Sequence, residues 1–437
     1  MKECVNLREI QVQAPFLERL DLPDCLDLEH LQLETPQLIE AILTHNSALN
    51  TLDIALLVIQ PSLQRIDLRG CDSAIGPVHL PLDMLNLQAI KIAEEGAKAV
   101  AKALETNKIL TSLVLMSNNI GEGGTKAIAK SLEINKTLTS LNLWSNNIGA
   151  EGAKAVAKAL EINKTLTSLY MSENDIGEEG IKAVAKALEN NKTLTSLDLS
   201  WNNIGQEGAK IIAQTLETNK TLNLLHLAEN DIGKEGAKAI AKALENNKTL
   251  TLLDLTSNNI GEEGVKAIAK TLETNITLTS LNLWSNNIGE KGAKAVAKAL
   301  ETQKTLTSLD MASNNIREEG AKAVAKALKT NKNLTSLDLS WNNIGEEGAK
   351  AVAMALETNK TLISLNLSFN SIGDEGAMEV AKALETNKTL TSLDLWSNFY
   401  DPSNNSIGEG TKIDISSFLR RNLEETQIQK DGAKISV

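Results

Sequence analysis

Along most of the chain the apolar positions alternate between two periods. In Leu138-Thr-Ser-Leu141-Asn-Leu143, Leu141 and Leu143 share one face of an extended backbone, as the period of two in a strand requires. Further on, Ala153, Val156, Ala157 and Leu160 fall at i, i+3, i+4 and i+7, which is one face of a helix. Lys154, Lys158 and Glu161 occupy the opposite, wet face. The segment Trp144-Ser-Asn146-Asn-Ile148-Gly149 joins strand to helix. This strand–turn–helix unit of 28 residues then recurs, with first leucines at Leu110, Leu138, Leu166, Leu194, Leu222, Leu250, Leu278, Leu306, Leu334, Leu362 and Leu390. Eleven units in strict register predict a solenoid, in which each coil buries its apolar faces against its neighbours.

Parallel strands stack about 4.8 Å apart, whereas helices pack at about 8–10 Å. A layer of strands beside a layer of helices is therefore expected to bend into a horseshoe, an α/β solenoid with a concave parallel sheet and a convex helical rim. The spacing Leu138-x-x-Leu141-x-Leu143-x-x-Asn146 and the helical half after it resemble the leucine-rich repeat, specifically the 28-residue type of the ribonuclease-inhibitor family. The resemblance implies a binding scaffold whose concave face receives large protein ligands. The repeated Gly152-Ala-Lys-Ala-Val-Ala-Lys-Ala-Leu160 also looks like the leucine-rich repeats of effectors delivered by intracellular bacteria.

The ends keep a different rhythm. Residues 1–81 carry shorter motifs at Leu7–Val12, Leu17–Leu22, Leu28–Leu33, Leu49–Ile54 and Leu63–Leu68, several of them 21 residues apart. That interval has room for two strand-like runs per coil but hardly for a helix as well. Pro15, Pro23, Pro36 and Pro61 punctuate the runs, and the segment reads as short leucine-rich coils capping the array. Residues 82–398 hold the regular repeats. Residues 399–437 read as a C-terminal cap, with a Phe399-Tyr400 loop and one helix through Ile415, Phe418 and Leu419 that sets Arg420 and Arg421 at its polar edge.

Two polar series keep the same period. Asn118, Asn146, Asn174, Asn202, Asn230, Asn258, Asn286, Asn314, Asn342 and Asn370 follow each strand, where a buried amide column is expected to satisfy the backbone of adjacent coils. Asn163 and its equivalents stand where a left-handed residue would end each helix. With Asn135, Asn191, Asn219, Asn247, Asn275, Asn359 and Asn387, Asn163 also forms Asn-x-Thr acceptor sites, read as surface loops open to glycosylation in a eukaryotic secretory pathway. Paired glycines such as Gly149 and Gly152 read as turn residues.

A formal charge of −12 argues against nucleic acid as partner and favours a basic protein surface. The first ten residues carry charges where a signal peptide needs an apolar run, and no apolar stretch approaches the roughly 20 residues of a membrane span. Cys4, Cys25 and Cys71 are too few for a disulfide framework. Cytoplasmic residence follows, with export into a host cytoplasm by a bacterial secretion system as the variant. His30, His45, His79 and His226 are scattered and give no metal-ligand spacing, so neither an enzyme, a metal, a cofactor nor a small-molecule substrate is expected. A proton-transfer pair of His226 with Glu229 is weighed and set aside for an isolated polar contact.

The candidate binding residues lie on the strands and just beyond them. Tyr170, Asp198, His226, Asp254, Asp310, Asp338 and Asp394 alternate away from the core, and Trp144, Glu173, Trp201, Glu229, Trp284, Trp341, Phe369 and Trp396 follow at the strand exits. All five tryptophans fall in this zone, and lysine and arginine are absent from it. Leu138–Gly149 is identical to Leu278–Gly289, and Leu194–Gly205 to Leu334–Gly345, so the array grew by duplication of a five-unit block. Duplication accounts for Trp284 and Trp341 but not for Trp396, whose counterpart is Thr256. Tryptophan and tyrosine dominate binding hot spots, and carboxylates beside them attract basic partners. The expected function is therefore a non-enzymatic scaffold gripping a folded, basic protein, in the role of a bacterial effector. The competing readings are a regulator of a small GTPase, similar to the GTPase-activating protein of Ran, and an inhibitor of a basic enzyme.

Overall fold

The computed structural model describes residues 8–22, 25, 27–35, 37–43, 52–53, 56, 63, 65–67, 83–396, 398 and 409–435. The Phe399-Tyr400 loop, Cys4, Cys71, His45, His79, Pro23, Pro36 and Pro61 lie outside the described residues. Two compact units are formed, Met1–Asn203 and Ile204–Val437.

In the first unit the first two short coils each contribute two strands, as the 21-residue spacing predicts, and the third contributes one among the described residues. β1 (Glu9–Gln13) pairs in parallel with β3 (His30–Glu34), so that Glu9 meets His30. β2 (Arg19–Asp21) pairs with β4 (Glu40–Ile42), which pairs with β5 (Arg65–Asp67). The reading of Leu49–Ile54 as a strand is corrected: residues 52, 53 and 56 are helical. The Asp53 carboxylate accepts the Leu31 N–H at 3.0 Å. Cys25 is buried.

The regular coils follow in the same unit with β6 (Met84–Asn86), β7 (Ser112–Val114), β8 (Ser140–Asn142), β9 (Ser168–Tyr170) and β10 (Ser196–Asp198), neighbours pairing in parallel. In the second unit β11 (Leu224–His226), β12 (Leu252–Asp254), β13 (Ser280–Asn282), β14 (Ser308–Asp310), β15 (Ser336–Asp338), β16 (Ser364–Asn366) and β17 (Ser392–Asp394) do the same. Each strand has three residues, and its central leucine faces the core. A helix such as Gly149–Ile162 returns the chain to the next strand and buries Ala153, Val156, Ala157, Ala159 and Leu160. The expected helical stripe is thus the observed core face, widened by one alanine.

The two glycines of each coil do different work. Gly149 starts its helix at φ +62°, a conformation that favours glycine. Gly152 lies inside the helix, where a Cβ would sit 2.6 Å from the Ile148 side chain, so it is spent on packing rather than on a turn.

Both polar series turn inward. Asn146 Nδ2 donates to the carbonyls of Leu115 at 2.9 Å and Leu143 at 3.0 Å, and its Oδ1 accepts from the N–H of Asn118 at 3.0 Å. In the second unit Asn286 repeats this with Leu255, Leu283 and Asn258. This is the amide column the spacing predicts. The series at the helix ends forms a second one. Asn163 adopts an extended φ, ψ of −67°, 131° rather than a left-handed one. Its Oδ1 accepts the N–H groups of Thr165 and Leu166, and its Nδ2 reaches the Leu132 carbonyl of the preceding coil at 2.8 Å. Closing that side-chain turn requires an extended backbone. Asn135, Asn163, Asn191, Asn219, Asn247, Asn275, Asn359 and Asn387 are all buried, so the folded chain withholds these acceptor sites from solvent.

The last helix, Glu409–Ile435, closes the second unit. Arg421 does not sit at its polar edge. Its Nη2 donates to the carbonyls of Leu384 at 2.8 Å and Asn387 at 2.9 Å, the acceptors that one more asparagine coil would take. Asn422 adds bonds to Asn387 and Leu390. Among the described residues no helix is long and apolar enough to cross a membrane.

Candidate functional site

The strand register aligns the outward residues into rows. In the first unit Asn142, Tyr170 and Asp198 lie side by side. In the second the row runs His226, Asp254, Asn282, Asp310, Asp338, Asn366 and Asp394. These side chains are half-buried except Asp394, which is exposed.

The acidic row has a local duty that the sequence reading missed. Asp198 Oδ1 accepts the Ser200 N–H at 3.0 Å and its hydroxyl at 2.7 Å, and Asp254 does the same with Thr256. Asp338 takes Ser340 in this way, while Asp310 accepts the Ala312 N–H and Asp394 the Trp396 N–H. Asn142, Asn282 and Asn366 fill the same place and accept from Trp144, Trp284 and Ser368. An Asp or Asn two residues before the strand-exit residue was the legible signal for this turn.

Charge crowding distinguishes the acids of the second unit. Burial pushes the Asp310 carboxyl up to about 6; the Ala312 N–H opposes this, and the charges of Asp338 and Asp254 add to it. Burial pushes Asp254 up as well, but bonds from His226 and Thr256 outweigh it and hold the group below its ordinary value. His226 Nδ1 lies 3.6 Å from Asp254 Oδ2, which places its ion pair with Asp254 on the next strand.

The tryptophans reach solvent. Trp144, Trp201, Trp284, Trp341 and Trp396 are 42%, 57%, 45%, 54% and 66% exposed, so they do not fill the space between coils. They occupy two adjacent positions. Trp144, Trp284 and Trp396 directly follow the last strand leucine; Trp201, Trp341, Phe369, Glu173 and Glu229 come one residue later. At that later position the backbone has φ between 54° and 58° in these five coils. A bulky aromatic residue rarely adopts this conformation, and holding it costs about 1–2 kcal/mol.

In the first unit the Trp144 indole N–H donates to Glu173 Oε2 at 2.8 Å. In the second, Trp341 stacks on Phe369 with ring centroids 3.7 Å apart at 15°, and Phe369 meets Trp396 edge-on at 4.8 Å and 78°. Lysines pair on the helices instead, as Lys154 does with Glu151 at 2.8 Å and Lys238 with Glu235 at 3.0 Å. Among the described residues no group of histidine, cysteine and carboxylate side chains could hold a metal ion.

Repeated strand–turn–helix coils, stitched by two amide columns and presenting an exposed aromatic and acidic strand face, define an α/β leucine-rich-repeat solenoid of the ribonuclease-inhibitor-like type. Such folds serve as scaffolds for protein–protein interaction. The family model of the NLRC3 LRR domain matches residues 113–413, more than half of the chain, and the chain belongs to that leucine-rich-repeat family. Comparison with curated proteins finds no match. Among solved structures, the leucine-rich repeat-containing protein LegL7 from Legionella pneumophila is similar at 19% identity and a TM-score of 0.43, over 72% of this chain and 94% of that one. The tropomodulin C-terminal domain from Caenorhabditis elegans is 17% identical, with a TM-score of 0.34, over 38% of this chain and 98% of that one. Actin-binding site 2 of leiomodin-1 is 22% identical, with a TM-score of 0.31, over 45% of this chain and 94% of that one.

Proposed function

We propose that the strand face grips a folded protein with a basic surface, and that the chain acts in the cytoplasm as a bacterial effector on host proteins. The observation that carries the reading is the confinement of all five tryptophans, each exposed, to strand exits beside carboxylates and without lysine or arginine. Large aromatic side chains left in water beside acids suit hot spots that a basic partner covers. The likeness of the helical halves to repeats of bacterial effectors supports the role; it does not name the partner. Trp144, Tyr170, Glu173, Asp198 and Trp201 are the contact residues assigned to the first unit. His226, Glu229, Asp254, Trp284, Asp310, Asp338, Trp341, Phe369, Asp394 and Trp396 are assigned to the second.

The test is capture from eukaryotic cytosolic lysate by wild type and by the Trp144→Ala/Trp201→Ala/Trp284→Ala/Trp341→Ala variant, with circular dichroism to check folding. A protein held by wild type, lost by the folded variant and rebound when purified supports the reading. Equal capture by both removes it. Acceleration of GTP hydrolysis on a panel of small GTPases would replace it with regulation of a GTPase.

A further inference from the structure

We infer that Trp341, Phe369, Trp396 and Asp394 form a receptor for an arginine side chain carried on an extended basic segment of the partner. The inference rests on the protein-binding reading above and assigns the partner's chemistry at one corner of the strand face.

This corner departs from the copied pattern. The residues five units earlier that answer Phe369 and Trp396 are Glu229 and Thr256, so duplication supplies Trp341 alone. Three aromatic rings on consecutive coils then hold one another, Trp341 flat against Phe369 and Trp396 edge-on to it. Both indoles remain more than half exposed. The stack is therefore pre-ordered and still presents aromatic surface to solvent.

The charges beside it select the occupant. Asp338 is committed, with Oδ1 on Ser340 and Oδ2 accepting from Asn366 Nδ2 at 2.8 Å. Asp394 is exposed; its Oδ1 takes the Trp396 N–H, and its Oδ2 has no partner among the described residues. The segments 334–345, 362–373 and 390–398 contain no lysine or arginine to compete for it. A guanidinium is planar, so it lies on an indole face while its N–H groups point edgewise to a carboxylate. An ammonium matches the charge but not the plane, and a sugar ring or neutral side chain matches the face but not Asp394.

The probe is a fluorescein-labelled Gly-Arg-Gly-Arg-Gly amide added to the full chain and followed by anisotropy. Its controls replace each arginine with lysine or with citrulline, the neutral isostere. The arginine peptide is expected to bind about tenfold more tightly than the citrulline one. Asp394→Asn and Trp396→Ala should each weaken it about fivefold or more, Trp396→Phe should retain most binding, and Lys158→Ala on the exposed helical face should change nothing. Equal binding of arginine and citrulline peptides would overturn the proposal in favour of a neutral stacking ligand. No binding at millimolar peptide would also overturn it. If that happens while the four-tryptophan variant still loses its captured protein, the scaffold reading stands and the arginine assignment alone falls.

Discussion

The buried asparagine columns and the exposed strand-exit row are both polar, and both recur every 28 residues. They differ in what their hydrogen bonds reach. Each column amide bonds the backbone of the coil before it, so its replacement by an apolar residue leaves carbonyl and N–H groups unpaired in a dry interior. The side chains at the strand exits reach at most a side chain two positions back or one on the next coil, and their rings end in solvent. Accordingly the column at 118–370 is asparagine in every coil, while the two exit positions hold Met, Ala, Thr, Ser, Glu, Trp and Phe. Equal periodicity therefore marks architecture in one place and an adjustable surface in the other.

The largest expected effect comes from breaking a column. Asn286→Ala strands the Leu255 and Leu283 carbonyls and the Asn258 N–H, and should cost about 3 kcal/mol or more. Because coils contact only their neighbours, the loss should appear as faster hydrogen exchange around residues 255–290, with distant coils unaffected. Loss of protection across the entire chain would show that the coils are not energetically local.

Arg421→Ala removes the donors that stand in for one further asparagine and should destabilise the last coils by about 2 kcal/mol. Urea denaturation should show the C-terminal coils melting first. An unchanged profile would assign the closure of this unit to Asn422 and apolar contacts.

Asp310→Asn tests the outward row. The folded carboxyl, near 6 against an ordinary 3.8, binds its proton more tightly than the unfolded one. Stability is therefore lost as pH rises through about 4 to 6, and the penalty is fully present above that window. Asparagine keeps the bond to Ala312 and removes the charge, as Asn282 and Asn366 already do. The gain should be about 1 kcal/mol at pH 8, after allowance for solvent screening, and should vanish by pH 4. A gain of the same size at both pH values would assign it to something other than the charge.

Arg317 replaces the usual helix-start glycine at φ 58°. Arg317→Gly should raise the melting free energy by about 0.5–1 kcal/mol through relief of left-handed strain. At the small end, Trp144→Ala should cost less than about 1 kcal/mol, its indole being partly exposed and bonded, among the described residues, to the Glu173 carboxylate alone. A large loss there would place Trp144 with the columns instead of with the surface.

The repeat period, the three-residue strands centred on Leu141 and its equivalents, the helical face through Val156 and Leu160 and the first asparagine column were all legible in the residues. Each is set by a local period repeated often enough to leave no second register. The candidate site was legible as a set of outward positions, because alternation along a strand decides facing. What a side chain does once it faces outward or inward was not legible. Asn163 reads locally as a helix terminator and a glycan acceptor; only the preceding coil, with its Leu132 carbonyl, makes it a buried strut. Arg421 reads as a polar edge until the open end of the array offers it two carbonyls. Sequence by itself determined the coil, since the coil depends on neighbours along the chain. Tertiary structure decided the partners, since hydrogen bonds and ring stacks between coils join residues about one repeat apart, and no local pattern specifies which atom waits on the other side.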